Sequence, residues 1–128
     1  MKRLVIDLDG TLTIDEHQAP YPEKLPALDF IDRLRDYKNL GFEIIIMTAR
    51  NMKTYNNSVG QINAKTLPMI IEWLNRHEIP YDEIHVGKPW CGSEGFYVDD
   101  KAIRPDEFIN LTYEEIRRLI DFGRNGEI

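Results

Sequence analysis

The chain has a single cysteine, Cys91. That rules out an internal disulfide framework and suits a reducing compartment. Long apolar runs are also missing, and none approaches the length that spans a bilayer. The start, Met-Lys-Arg followed by Leu-Val-Ile-Asp, lacks a signal peptide's pattern, because its apolar run ends in acid and no small-residue cleavage site follows. Basic residues are outnumbered: 16 Lys and Arg against 22 Asp and Glu give a formal net charge of −6, which argues against nucleic acid as the main partner. There is no internal repeat and no low-complexity tract. The expectation is a cytoplasmic protein that binds neither membrane nor nucleic acid.

What is present suffices for one core. With 128 residues, 42% hydrophobic and 30% charged, residues 1–128 read as a single domain. Residues 3–8 (RLVIDL) predict a strand buried on both faces. Residues 13–26 hold three prolines and read as loop. From Ala27, the positions Leu28, Ile31, Leu34 and Tyr37 recur at helical spacing, and Gly41 is a natural stop. Residues 42–48 (FEIIIMT) predict a second buried strand. The segment 50–65 is polar and aperiodic, the kind of long connection that more often binds than merely joins.

Residues 66–77 predict a second helix, with Thr66 as N-cap, Pro68 in the first turn and an apolar stripe of Leu67, Ile70, Ile71 and Leu74. Residues 83–88 and 95–100 predict a third and a fourth strand. The last helix opens on the capping box Thr112-Tyr-Glu-Glu115 and presents Ile116, Leu119 and Ile120. Strands alternating with helices imply an α/β fold with a parallel sheet and right-handed crossovers, whose ligand site lies at the carboxyl ends of the strands.

That rule gathers chemistry. Asp7, Asp9, Gly10 and Thr11 follow the first strand, Thr48 and Arg50 the second, Lys88 the third, and Asp99 and Asp100 the fourth. Any one of these alone is ordinary, since strand-end acids often serve turns. Together they bring four carboxylates, hydroxyls and an ammonium to one edge. A hard divalent cation is the simplest compensation for the acids, and oxygen ligands favour Mg²⁺. Lysine and threonine beside such an ion suit a phosphoryl group, whose transfer needs positioning and charge neutralisation. No Ser/His/Asp or Cys/His arrangement competes. His17, His77 and His85 are scattered and none adjoins a strand end; His77, which extends the helix stripe, and His85, inside a strand, read as structural, and Cys91 has no histidine near it in sequence.

The residues Asp7-Leu-Asp9-Gly10-Thr11-Leu-Thr13 resemble the first motif of the haloacid dehalogenase (HAD) superfamily of phosphotransferases. Thr48, Lys88 in Gly-Lys-Pro, and Asp99-Asp100 resemble its second, third and fourth motifs, in the same order along nearly the whole chain. The resemblance implies a Rossmannoid three-layer sandwich with a parallel central sheet. It implies Asp7 as the nucleophile that forms an aspartyl-phosphate, and Asp9 as the acid and then the base. Thr48 and Lys88 would hold phosphoryl oxygens. Magnesium would be held by Asp7, the carbonyl of Asp9 and the acidic pair, with Asp100 nearer the ion than Asp99.

Two departures stand out. The gaps between motifs hold no cap domain, and only ten residues (PWCGSEGFYV) separate Lys88 from Asp99, where the family usually has a helix. The runs ARNMKTYNNSVGQIN and GKPWCGSEGFYVDDKAIRP resemble a small capless group of capsule biosynthesis phosphatases. That resemblance implies a phosphorylated sugar or polyol of surface-polysaccharide biosynthesis as the small phosphomonoester substrate.

Without a cap, recognition falls to loops. Gly10 and Thr11 would meet the phosphate, Gly10 by letting the backbone approach it. Arg50, Lys53, Tyr55, Asn56, Asn57 and Trp90 would meet the rest of the substrate, Arg50 through a second anionic group. Arg104 would pair with local acids. A lid borrowed from a neighbouring copy, and hence a homo-oligomer, is compatible with so open a site. The rival classes are a signalling receiver domain, a phosphomutase and a non-catalytic phosphate-binding domain. A receiver carries its acidic pair on the first strand and its phosphorylated Asp later, the reverse of this order. A mutase would need a cap to exclude water, and a non-catalytic relative would not need both Asp7 and Asp9.

Overall fold

Three short strands pair in parallel in the order β1 (Arg3–Ile6), β2 (Glu43–Met47), β3 (Glu83–His85). The computed structural model describes residues 1–15 and 19–123; His17 lies outside them. Registers are Val5 opposite Ile45 and Ile46 opposite Ile84. The fold is α/β, with five α-helices among the described residues: α1 (Leu28–Asn39), α2 (Val59–Lys65), α3 (Leu67–Arg76), α4 (Pro105–Asn110) and α5 (Tyr113–Phe122). No helix among the described residues is long and apolar enough to cross a membrane. The chain divides into two compact units, Met1–Trp90 and Cys91–Ile128.

In the first unit the middle strand is the most apolar, and Ile44, Ile45 and Ile46 are all buried. The helix after β1 buries Phe30, Ile31, Leu34 and Tyr37. Leu28, expected in that stripe, is exposed, and Phe30 takes its place. In α3, Ile70, Trp73 and Leu74 are buried. Trp73 is nearly inaccessible, and its Nε1–H donates to the carbonyl of Lys24 at 2.9 Å. Arg76 donates to the Pro22 carbonyl at 2.7 Å, so α3 holds the 3-10 turn Tyr21–Glu23 from two points. Asp82 fastens the start of β2: its carboxylate accepts from Ile44 N–H at 2.7 Å and from Lys38 Nζ at 2.7 and 2.9 Å.

The structure corrects several expectations. The first strand stops at Ile6 and is an edge strand alternating between exposed and half-buried residues, not a strand buried on both faces. The polar segment 50–65 is not all loop. Its second half is α2, N-capped by the Ser58 hydroxyl, which accepts from Gln61 N–H at 3.3 Å. Gly60 and Asn63 lower helix propensity there and hide the pattern. Thr66 does not cap with its side chain; its hydroxyl donates to Asn51 Oδ1 at 2.7 Å.

The second unit contains α4 and α5, and α4 escapes the periodicity because it is only six residues long. The backbone N–H of Arg104 donates to Glu107 at 2.8 Å, while the Thr112–Glu115 box forms as expected. Phe108 and Ile116 are buried, whereas Leu119 and Ile120 are half-buried. Residues 95–100 form no strand. A strand exists only where a neighbour completes its hydrogen bonds, and propensity alone does not supply one.

Trp73 ties the core to the loop that carries Lys24. Trp73→Ala is expected to destabilise the protein by about 3–5 kcal/mol. Trp73→Phe keeps most of the volume but strands the Lys24 carbonyl, at about 1–3 kcal/mol. Denaturant unfolding of the two variants checks the order; equal stability of Trp73→Phe and the parent contradicts the role of the indole bond.

Candidate active site

The first unit brings Asp7, Asp9, Thr11, Thr48, Arg50 and Lys88 to the carboxyl ends of its strands. Past β1 the chain turns tightly around the Leu8 carbonyl, which accepts from the N–H groups of Thr11, Leu12 and Thr13 at 3.3, 2.9 and 3.1 Å. Gly10 makes the turn at φ +81°, and a Cβ there would come within 3.2 Å of the Asp15 carboxylate. This is the left-handed region that glycine enters at no steric cost. The Gly10 N–H, expected to be offered to a phosphate, donates instead to the Thr13 hydroxyl at 3.1 Å.

Asp7 stands immediately after β1. The Thr11 hydroxyl donates to its Oδ2 at 3.3 Å, and Lys88 Nζ lies 3.7 Å from its Oδ1. Burial raises its pKa above the ordinary carboxylate value, the Lys88 ammonium opposes that, and Asp9 adds to it. A third of its side chain remains open to solvent, at 38% exposure. Lys88 is placed by backbone: its N–H donates to the Thr48 carbonyl at 3.1 Å, and the Thr48 N–H donates to the His85 carbonyl at 2.9 Å. Gly87 turns the chain just before it at φ +86°, where a Cβ would strike the Val59 side chain. Thr48 is buried, and its hydroxyl oxygen accepts from Arg50 N–H at 3.0 Å.

Asp9 is held by two cations. Arg50 Nε donates to its Oδ2 at 3.0 Å and Nη2 to its Oδ1 at 2.7 Å, a fork-on-fork pair. Lys24 Nζ donates to Asp9 Oδ1 at 3.1 Å and to Asp15 Oδ1 at 2.8 Å. Both cations sit over the Tyr21 ring, Arg50 at 4.2 Å and Lys24 at 4.9 Å from its centre. Burial disfavours charge on Asp9, but Arg50 and Lys24 outweigh it and hold the carboxyl below its ordinary pKa. For Lys24, burial is likewise outweighed by Asp15 and Asp9, and its pKa is raised.

Arg50, expected to meet a substrate anion, is thus spent on Asp9, with its side chain only 2% exposed. Lys24, Tyr21 and Asp15 escaped the sequence reading. The prolines around Tyr-Pro-Glu-Lys-Leu-Pro mark a stiff loop, but nothing there says that its lysine returns to the first strand.

The recognition residues divide. Asn51, Asn56 and Asn57 all have positive φ, at 64°, 50° and 66°. The two exposed neighbours Asn56 and Asn57 therefore turn the chain, a conformation asparagine tolerates best among residues with a side chain. Trp90 is half exposed and lies under Lys53 Nζ, 5.7 Å from the ring centre. Tyr55 is engaged with Lys65, whose Nζ is 5.2 Å from its ring. In the second unit Asp99 and Asp100 are exposed, and Asp99 Oδ1 accepts from Lys101 N–H at 2.9 Å. Among the described residues, no three or more His, Cys, Asp or Glu side chains converge as a metal cluster. A magnesium site needs only one or two carboxylates beside water and substrate oxygens.

No protein-family model matches the chain, and no curated protein matches it. The crystal structure of an MCSG target from Vibrio cholerae is 58% identical, over 94% of this chain and 98% of its own, with a TM-score of 0.91. A chain of the Pnkp1/Rnl/Hen1 complex is 22% identical over 86% of this chain, with a TM-score of 0.52, and this chain spans 34% of that longer one. The second likeness is one of fold.

Two consequences follow for stability. The folded state binds a proton at Asp7 more tightly than the unfolded chain does, so stability is lost as pH rises through the folded pKa. In metal-free buffer at pH 7, Asp7→Asn is expected to melt above the parent, with the gap closing toward pH 4. A lower melting temperature at neutral pH contradicts this. Asp9 has the opposite sign: its contribution is present above the ordinary carboxylate pKa and is lost as pH falls through its depressed value. Arg50→Ala uncovers this half-buried acid and is expected to cost about 3 kcal/mol in chemical unfolding at pH 7.

Proposed function

We propose that this chain, which belongs to the same family as that Vibrio cholerae protein, is a Mg²⁺-dependent phosphomonoester hydrolase of the HAD type. The single observation that carries the reading is geometric: just past β1, Asp7 is partly open to solvent, with Lys88 Nζ 3.7 Å from one carboxylate oxygen and the Thr11 hydroxyl 3.3 Å from the other, and Asp9 follows two residues on. A cation and a hydroxyl beside an accessible carboxylate suit attack on a phosphoryl group.

In this reading an Asp7 oxygen attacks phosphorus, the bond from phosphorus to the leaving oxygen breaks, and an aspartyl-phosphate forms. Asp9 gives its proton to the leaving oxygen. In the empty site Asp9 is a carboxylate, and a phosphate dianion arriving beside it raises its proton affinity by like charge. In the second step the Asp9 carboxylate takes a proton from water as that water attacks phosphorus. Inorganic phosphate leaves, and Asp7 and the protonated Asp9 are regenerated. Lys88 stands beside the attacking acid, and the buried Thr48 still has its hydroxyl proton to give a phosphoryl oxygen.

The charge count supports a divalent cation. Asp7, Asp9 and Asp15 oppose Lys24, Arg50 and Lys88, three against three, so a phosphate dianion leaves the cluster two charges short. In the first unit, Asp7 and the Asp9 carbonyl are the groups that would hold magnesium. The ion supplies charge neutralisation at the phosphoryl oxygens when bound.

Trp90 and Lys53 are the better candidates for substrate recognition, a half-exposed ring with a cation over it, since Arg50 is committed to Asp9. With the resemblance to capsule biosynthesis phosphatases, they favour a phosphorylated sugar or polyol.

The test is hydrolysis of para-nitrophenyl phosphate with Mg²⁺ or with a chelator. Many turnovers per chain are expected only with the metal, and Asp7→Asn is expected to lose at least about a hundredfold in kcat. A single turnover would favour a phosphate-accepting receiver. Full activity of Asp7→Asn would remove the nucleophile.

A further inference from the structure

Residues 44–71 contain no aspartate or glutamate, in a chain that has 22 of them and a net charge of −6. The stretch begins inside β2, runs through the turn after it and all of α2, and ends in α3. Its charged residues are Arg50, Lys53 and Lys65. Residues 84–90, with Lys88 and Trp90, contain no acid either. In the first unit, β1 therefore leads into Asp7, Asp9 and Asp15, while β2 and β3 lead into chain that is only basic. A rim of one sign attracts anions locally, whatever the sign of the whole molecule.

These cations are not used alike. Arg50 is committed to Asp9, and Lys88 stands at Asp7. Lys24 and Lys38 likewise lie against carboxylates. Lys53 and Lys65 form no ion pair among the described residues. Each lies over a ring instead, Lys53 Nζ 5.7 Å from the centre of Trp90 and Lys65 Nζ 5.2 Å from that of Tyr55. A ring orients an ammonium through its quadrupole but has no net charge to set against it. Both charges are thus held in place and left unneutralised.

Lys65 has an ordinary reason for its position, since it ends α2 and faces the negative end of the helix dipole. Lys53 has no such reason. It is exposed, in the turn between β2 and α2. Met52 fixes that turn from both sides: its N–H donates to the Ala49 carbonyl at 3.0 Å, and its carbonyl accepts from Asn57 N–H at 2.8 Å. Trp90, the ring beneath Lys53, follows Lys88 by two residues, so their backbones lie within about 7 Å of each other. The charge of Lys53 is therefore held over the segment that delivers Lys88 to Asp7.

We infer that the substrate carries a second anionic group, on the part that leaves, and that Lys53 receives it. On a phosphorylated sugar or polyol that group is a carboxylate or a second phosphate. The inference rests on the phosphatase reading for placing the reacting phosphoryl group at Asp7.

Titration calorimetry on the full chain carrying Asp7→Asn, with Mg²⁺ at low salt, compares 6-phosphogluconate with sorbitol 6-phosphate. The two differ only at the end remote from phosphorus, a carboxylate against a hydroxymethyl group. Sorbitol 1,6-bisphosphate offers a second phosphate at the same place. One of the two dianionic-ended or acid-ended compounds is expected to bind at least about fivefold more tightly than sorbitol 6-phosphate, with the gap narrowing as salt rises. The larger gain identifies the anion, and no gain with either overturns the inference. Adding Lys53→Met is expected to abolish the gain, whereas Lys53→Arg or Lys65→Met is expected to keep it. A gain that survives Lys53→Met overturns the assignment to Lys53. Binding is read without turnover, so this result is distinct from failure of the hydrolase reading.

Discussion

The fork of Arg50 on Asp9 is the interaction on which the rest of the first unit's functional end depends. It joins the turn after β1 to the turn after β2, and it does so from a nearly inaccessible side chain. A charge so placed is tolerable only when paired, because removing either partner leaves the other buried without compensation. The pair reaches outward through Lys24, which shares Asp9 with Arg50 and shares the face of Tyr21 with it. Lys24 in turn is held through its carbonyl by Trp73, in the middle of the core. Packing, the proline-rich loop and the acid pair therefore form one connected structure, and the electrostatic state of Asp9 is set by residues far from it in sequence.

That connectedness explains what the sequence reveals and what it hides. The strand ends are legible, because an apolar run stopping in Asp, Thr or Lys is a local pattern. Asp7, Asp9, Thr48 and Lys88 stand where strand-end logic puts them in the first unit. Arg50 is legible as a functional residue but not in its role, since its partner is 41 positions away. Lys24 is not legible at all. Its loop has no periodicity, and its place follows from a tryptophan 49 positions downstream. Helix α2 fails for a different reason, as its start is set by a Ser58 cap while its interior is poor in helix formers.

The fourth strand shows the limit of propensity most clearly. Residues 95–100 have a strand's composition, and local preference has no information about whether a partner edge lies within reach. Nothing local in Gly-Phe-Tyr-Val-Asp-Asp supplies the neighbour whose hydrogen bonds a strand needs.

Loss of a cap shifts the remaining burden onto the rim. A capped phosphatase excludes water and selects its leaving group with a second domain; the proposed site has Lys53 and Trp90 beside it and two asparagines that serve the backbone. An aromatic face offers a large contact at little entropic cost, and a cation held over it pairs with an anion or hydroxyls without a deep pocket. Such a rim discriminates by what it attracts rather than by what it keeps out, which fits a small, strongly polar substrate better than an apolar one.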